Sequence, residues 1–249
     1  MPDDVGHAAD PQLARQGGAL PAPATSILDP RVLPILSAEH SSLLSTRSLA
    51  YNEAFTRAAM FLTFLSMSFV AVALVAQAIP IDRDFLLVPA IVLAFDLVVG
   101  LTTYGRIIGT NYEDYRAVYG MARIRHGYGE IAPVVLPYFT TGTHDDMAGV
   151  TVSYGTPSSR GLGAIVYQLT TSASMIGIIV SMIGGVLALV IALIVGSPLQ
   201  LAIGVAFVAG IGIFIALGAL TVRFYLGVQA TIPVLFPTPE RAPEQAPNS

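Results

Sequence analysis

Four long apolar stretches constrain this chain more than any other feature of its sequence. They cover about 58–79, 85–108, 173–195 and 199–222. Each has the roughly 20 apolar residues that an α-helix needs to cross a bilayer core of about 30 Å. Pro and Gly, which break helices, mark the short turns at 80–84 and 196–199 within each pair. The sequence therefore predicts an all-α membrane protein with four transmembrane helices in two hairpins.

Composition agrees with a lipid bilayer as the main partner. Charged residues make up 11% of the chain, against about 25% in an ordinary soluble domain. The net charge of −4 does not suit a nucleic-acid-binding protein. The chain has no cysteine, which excludes disulfides, thiolate metal sites and cysteine nucleophiles. The sequence has no nucleotide fingerprint, and we predict no cofactor.

The placement of arginine predicts the orientation of the four spans. The two short turns hold a single arginine, Arg83, between Asp82 and Asp84. The segments at the opposite ends of the spans hold Arg47, Arg57, Arg106, Arg116, Arg123, Arg125, Arg160 and Arg223. Because positive residues are retained on the cytoplasmic side, both termini and the long middle segment are predicted to lie in the cytoplasm.

Composition also divides the chain into five segments. We predict a disordered cytoplasmic tail over 1–36, a first transmembrane hairpin with helices extended into the cytoplasm over 37–135, and a cytoplasmic loop with a short hairpin over 136–170. A second transmembrane hairpin over 171–230 and a disordered Pro-rich tail over 231–249 follow. Ser37 is the predicted N-cap of the first helix, which nothing breaks before residue 79, a length of roughly 60 Å.

Asp96 lies near the middle of the second span, where a carboxylate costs about 2.5–3.5 kcal/mol on insertion scales. Ser66 and Ser68 of the first span fall at the same depth, and their hydroxyls can donate hydrogen bonds to it. No arginine lies at that level, so we expect a protonated, neutral carboxyl group. Three roles remain open: a hydrogen-bonding anchor between helices, a proton or cation site, and a polar element facing an oligomeric pore.

A polar cluster is predicted on the cytoplasmic side of the membrane. It comprises Arg123, Arg125, His126, Glu130, His144, Asp145 and Asp146. Histidines and carboxylates together can bind a divalent metal or exchange protons, but there is no HExxH motif and no third regularly spaced ligand. Metal binding is therefore left undecided. The alternative is that ion pairs dock the loop onto the helix extensions, or that the arginines contact anionic lipid.

The two spans of the second hairpin carry small residues at four-residue spacing. These are Gly184, Ala188, Ala192 and Gly196 in the third span, and Ala202, Ala206 and Gly210 in the fourth. Small residues let helix backbones approach closely in a membrane. The pattern predicts either close packing within this hairpin or an interface of a homo-oligomer.

The segment YGMARIRHGYGEIAPVVLPYFTTGTHDDMAG (119–149) resembles a family of bacterial, mainly actinobacterial, four-helix integral membrane proteins that has no assigned activity. AYNEAFTRA (50–58) resembles the family's approach to the first span. The resemblance covers about 37–222 and implies a bacterial plasma membrane. It also implies that the polar cluster belongs to the family pattern. The first hairpin with its extensions resembles the two-span effector modules of bacterial nucleotide signalling, but the second hairpin departs from them.

Three hypotheses about function follow from the sequence. The first is a non-enzymatic, self-associating membrane protein with a structural, sensory or effector role. The second is a small channel or transporter subunit in which Asp96 binds a proton or cation. The third is a membrane enzyme that uses the cytoplasmic His, Asp and Glu side chains.

Overall fold

The computed structural model describes residues 26–80, 83–155 and 171–239. Within these ranges the chain forms five α-helices and no strand. The helices are α1 (Val32–Ala78), α2 (Leu87–Ile131), α3 (Met147–Tyr154), α4 (Ser172–Val195) and α5 (Leu199–Thr231), with a 3₁₀ helix over Pro133–Tyr138 between α2 and α3. Four of them, α1, α2, α4 and α5, are long and apolar enough to cross a membrane. The predicted all-α, four-helix membrane fold is thereby confirmed.

Helix α2 is the centre of the bundle. It packs along α1 and against α4, while α4 and α5 pack against each other. The three inner helices meet at Gly100 of α2, where a Cβ atom would lie 2.8 Å from Val180 and 2.9 Å from Phe61. Glycine is required here because any side chain would push the neighbouring helices apart. Phe61, Ile107, Ile176 and Val180 are almost completely buried around this point.

The second hairpin is held together by its small residues. A Cβ atom at Gly185 of α4 would lie 2.9 Å from the carbonyl oxygen of Ala206 and 3.5 Å from the Cα of Gly210. The backbones of α4 and α5 therefore approach as closely as van der Waals contact allows, which supports the prediction that this hairpin packs on itself. Gly196, at φ +91°, ends α4 in the left-handed conformation and starts the turn.

The predicted start of the first helix is wrong by six residues, because the N-cap position is Arg31 and not Ser37. α1 begins at Val32, and Ser37 lies inside it, where its carbonyl accepts the hydroxyl of Ser41. The helix starts earlier because Asp29 organises the preceding turn. Its carboxylate accepts the N–H of Arg31 at 2.9 Å, and its carbonyl accepts the N–H of Val32 at 2.9 Å. The tail predicted to be disordered over 1–36 is therefore helical over 32–36.

The short hairpin predicted within 136–170 is wrong over its described part. The chain forms the 3₁₀ helix and then α3, whose first turn is capped by Asp146. The Asp146 carboxylate accepts the N–H of Gly149 at 2.9 Å, and Gly155, at φ +60°, ends the helix. A cap and a left-handed glycine that enclose eight residues favour one short helix over a hairpin. Residues 156–170 lie outside the described part of the chain.

Beyond the spans, α1 and α2 extend into a group of polar contacts that we call the polar module. It comprises residues 32–57 of α1, 109–131 of α2 and all of α3, and the segment 232–239 binds to it. At its border with the spans, Arg106 and Arg57 both donate to Glu53 at 2.8 Å. Because these segments touch one another, they all lie on the same side of the four spans.

Candidate functional site

Two adjacent carboxylates, Asp145 and Asp146, bind the segment that follows the last span. Asp145 is fully buried. Its Oδ1 accepts the backbone N–H of Phe236 at 2.7 Å, and its Oδ2 accepts that of Leu235 at 3.0 Å. The N–H of Asp145 donates in return to the carbonyl of Phe236 at 3.2 Å. The contact is made through the backbone of 235–236, where the chain bends against the loop.

Asp146 binds the same segment two residues further on. Its Oδ2 accepts the N–H of Thr238 at 2.7 Å, and its Oδ1 accepts the Thr238 hydroxyl at 2.8 Å. Since the same carboxylate caps α3 through Gly149, the position of α3 and that of the C-terminal segment are fixed by one side chain. We call Asp145 and Asp146 together the carboxylate clamp.

Arg123 of α2 completes the binding of this segment. Its Nε donates to Oδ2 of Asp145 at 2.7 Å, and a second guanidinium nitrogen donates to the carbonyl of Pro233. The positive charge offsets the cost of burying the Asp145 carboxylate, since a buried charge is tolerated when it is paired and hydrogen-bonded. Arg123 thus joins α2, the loop and the C-terminal segment.

His126 lies one turn beyond Arg123 on α2 and packs against the same segment. Its ring stacks on Phe236 with the ring centres 4.2 Å apart and the planes at 22°. The ring of His144 lies 5.8 Å away, edge to face. Glu130 is 3.6 Å from Nε2 of His126, as their spacing predicts. Six of the seven predicted cluster residues thus lie together: four of them contact 233–238, and Glu130 and His144 adjoin these through His126.

Arg125, the seventh residue of the predicted cluster, points elsewhere. It is buried and donates to the carbonyl of Gly142 at 3.5 Å. Arg123 and Arg125 are two residues apart, so they lie on different faces of α2. Arg125 therefore supports the start of the loop and makes none of the contacts described above with the C-terminal segment.

The carboxylate clamp is ionised under ordinary conditions. Burial raises the pKa of Asp145, but the N–H groups of Leu235 and Phe236 and the guanidinium of Arg123 outweigh it, so the pKa lies below its usual value. Burial likewise opposes ionisation of Asp146, and the donors of Gly149 and Thr238 again lower its pKa. Hydrogen bonds to the charged form therefore decide the state of both groups.

The structure contradicts the prediction of a disordered tail over 231–249 in its described part. Residues 232–239 are bound to the polar module by the contacts above. The stretch IPVLFPTP differs from the polar residues after it because it offers apolar side chains for packing. Proline content alone is a poor guide to disorder here, since Pro233 uses its carbonyl as an acceptor. Residues 240–249 lie outside the described part of the chain.

A second polar contact, which the sequence did not predict, joins three helices of the module. Arg47 of α1 donates to Oδ1 of Asp114 of α2 at 2.6 Å, and the Tyr154 hydroxyl of α3 donates to Oδ2 at 2.8 Å. Asp114 is buried, as is its neighbour in sequence, Tyr115. In the sequence, the acidic residue Asp114 was the one signal of this contact, because its partners Arg47 and Tyr154 are distant from it along the chain.

Asp96 is fully buried between the spans and has one hydrogen bond. Ser68 donates to its Oδ1 at 2.9 Å, and its Oδ2 has no partner among the described residues. The predicted contact with Ser66 is wrong, because Ser66 donates to the carbonyl of Leu62 in its own helix at 2.8 Å. Two residues along a helix turn the side chain by about 200°, so only one of these serines can face α2.

Within 26–80, 83–155 and 171–239, no three His, Cys, Asp or Glu side chains are grouped closely enough to hold a metal ion. Both oxygens of Asp145 and both of Asp146 already accept hydrogen bonds from the chain. The arrangement is therefore suited to holding a peptide segment.

The fold and these contacts define a class: an all-α, four-helix membrane protein with a polar module on one side of its spans. No family model matches the chain, and no curated protein and no solved structure matches it either.

Proposed function

We propose that the chain is a non-enzymatic sensory or effector protein of a bacterial plasma membrane, in which the polar module reports the position of the last span. The observation that carries the proposal is the binding of 233–238 by Arg123, Asp145 and Asp146. This segment begins directly after α5 ends at Thr231. A shift of α5 in the membrane would therefore strain the hydrogen bonds between 233–238 and the carboxylate clamp. Conversely, loss of those hydrogen bonds would remove a restraint on the cytoplasmic end of α5.

Hydrogen–deuterium exchange in lipid nanodiscs tests this coupling. Every group that the Asp145 carboxylate contacts is a hydrogen-bond donor. In Asp145→Asn the side-chain N–H₂, itself a donor, replaces one of the accepting oxygens, so at least one of these hydrogen bonds is lost. We expect faster exchange over 232–239 and, with it, in the last turns of α5. Glu130→Gln is the matched control, since it removes an equal charge from the same cluster without touching the C-terminal segment. Faster exchange confined to 232–239 would contradict coupling to α5.

The polar module is proposed to lie in the cytoplasm with both termini. Arginine placement supports this orientation, and the shared side of the module is consistent with it. The chain has no cysteine, so single cysteines can be labelled cleanly. In intact cells a membrane-impermeant maleimide is expected to label Ser197→Cys at the outer turn and to label Ser45→Cys in α1 only after permeabilisation. The reverse pattern would overturn the orientation.

Self-association belongs to the same proposal. Leu44, Leu49 and Phe55 lie on the extension of α1, and between 55% and 70% of each is exposed. Large apolar side chains exposed outside a membrane often mark a contact surface. Native mass measurement of the protein in nanodiscs is expected to give an oligomer, and Leu44→Glu with Phe55→Glu is expected to reduce it. A monomer at all protein concentrations would refute self-association.

Asp96 supports a second candidate function, that of a proton or cation pathway. Its Oδ2 is buried and has no hydrogen-bond partner within the described part of the chain, and unpaired ionisable groups within a membrane often mark ion pathways. Proton flux into proteoliposomes is the test. If Asp96 carries protons, flux falls in Asp96→Asn and is unchanged in Ser66→Ala. Equal flux in both variants and the native protein would exclude this candidate.

A further inference from the structure

A cavity of about 220 Å³ lies between α2, α4 and α5, close to the polar module. It is larger than the roughly 150 Å³ engineered cavity that is known to take up benzene. Its position is distinct from Asp96 and from the carboxylate clamp, because its walls are formed by Tyr104, Asn111, Ser174, Phe214 and Tyr225 and their neighbours. The space is therefore sufficient for a molecule the size of one aromatic ring.

The walls of the cavity have two different characters. Ile108, Phe214 and Leu217 contribute apolar surface, and the side chains of Tyr104, Asn111 and Thr221 contribute hydroxyl and amide groups. Among the described residues that line it, none carries a charge. A charged ligand would lose its hydration here without gaining a counter-charge, at a cost of several kcal/mol or more. The chemistry therefore favours a neutral molecule with an apolar body.

The hydrogen bonds in the wall define which polar group such a molecule needs. The Thr221 hydroxyl donates to the carbonyl of Leu217 at 2.9 Å, and Tyr104 lies 2.6 Å from the Thr221 oxygen. The Tyr104 hydroxyl also lies 3.3 Å from the Leu217 carbonyl, so its one proton is donated either to Thr221 or to Leu217. In both arrangements the Tyr104 oxygen keeps at least one lone pair as an acceptor. A ligand that donates an O–H matches it.

Glycine keeps the cavity open on the α5 side. Gly218 lines the space, and a Cβ atom there would meet no atom within 4 Å. On the opposite wall a Cβ at Gly177 would lie 3.0 Å from the Tyr104 ring, so that wall is closely packed. A larger side chain at Gly218 can thus enter the cavity without displacing a helix.

We propose that this cavity binds a small, neutral, single-ring molecule that donates a hydroxyl hydrogen bond to Tyr104. The proposal does not depend on the proposed function, because none of its residues binds the C-terminal segment. A ligand bound in the cavity would nevertheless contact α5, which contributes one wall.

The test is fluorine NMR of 4-fluorophenol with the full chain in nanodiscs, with fluorobenzene and 4-fluorobenzoate as comparison probes. Saturable binding of 4-fluorophenol is expected, with fluorobenzene about tenfold weaker for want of the hydrogen bond and 4-fluorobenzoate not bound. Gly218→Leu is expected to abolish binding. Gly212→Leu is the matched control, since it lies on the same helix, also meets no atom within 4 Å, and does not line the cavity.

Two results would overturn the proposal. One is a 4-fluorophenol signal that is equal in the native protein, in Gly218→Leu and in protein-free nanodiscs, which would mean partition into lipid only. The other is equal affinity for 4-fluorophenol and fluorobenzene. If Gly218→Leu does not fold, Tyr104→Phe is the variant to test. It is expected to bind 4-fluorophenol and fluorobenzene equally, with fluorobenzene binding unchanged from the native protein. A retained preference for 4-fluorophenol would refute the role of Tyr104.

Discussion

At the scale of single residues, Ser66 and Ser68 show what depth in the membrane does and does not determine. Both fall at the level of Asp96 in the sequence, yet only Ser68 reaches it. The depth of a residue follows from its position along the span, but the face it presents depends on how α1 is rotated against α2. That rotation is decided by packing at Phe61 and Gly100, which no local pattern indicates.

The two serines therefore give a matched pair of variants. Ser68→Ala removes a donor from a buried carboxyl group and is expected to lower the free energy of unfolding by about 1–3 kcal/mol. Ser66→Ala removes only a bond to its own helix backbone and is expected to change it by less than about 0.5 kcal/mol. Thermal unfolding in one detergent measures both. Equal losses in the free energy of unfolding for the two variants would show that the hydrogen bond from Ser68 to Asp96 does not stabilise the fold.

The ionisation of the carboxylate clamp gives a prediction of pH dependence. The pKa of Asp145 and that of Asp146 are held below their ordinary value of 3.8 in the folded state. A depressed pKa contributes stability that is present above the unfolded value and is lost as pH falls through the folded value. Exchange protection of 232–239 should therefore be constant from about pH 5 to 8 and fall only below pH 3.8. Loss of protection above about pH 5 would contradict control by the two carboxylates.

At the scale of elements, length and apolar content were enough to predict the four long helices. Their ends were less predictable, because α1 starts at a turn organised by Asp29 and α3 depends on a cap by Asp146. A cap acts through one side chain and one N–H group, and many Asp and Ser residues in loops offer the same pattern. The sequence therefore identifies long elements better than it identifies the turns that begin them.

Gly185 tests the packing of the second hairpin. A Cβ atom there meets the carbonyl oxygen of Ala206 at 2.9 Å, and backbone cannot move aside as a flexible side chain can. Gly185→Val is expected to lower the free energy of unfolding by about 1–3 kcal/mol through overpacking. Gly204→Val in α5, whose added Cβ meets no atom within 4 Å, serves as the control. Similar losses in both variants would contradict close packing at Gly185.

At the scale of the whole molecule, the polar module could be predicted in part. The residue types of the cluster were visible in the sequence, and six of its seven members meet. Their partner was not visible, because the binding of 233–238 to Asp145 joins positions about ninety residues apart through backbone groups that every sequence possesses. Binding through backbone N–H and C=O groups depends little on residue type, so the amino-acid sequence of the bound segment gives almost no indication of it.

The coupling proposed for this protein depends on the binding of the segment after the last span to the polar module. The distance between spin labels at Val152→Cys in α3 and Leu235→Cys measures whether that segment is held in place. Both side chains are more than half exposed, and the Leu235 N–H that binds Asp145 is retained. We predict a single narrow distance distribution in nanodiscs that broadens in Asp145→Asn and stays narrow in Glu130→Gln. A broad distribution in the otherwise native chain would contradict the account.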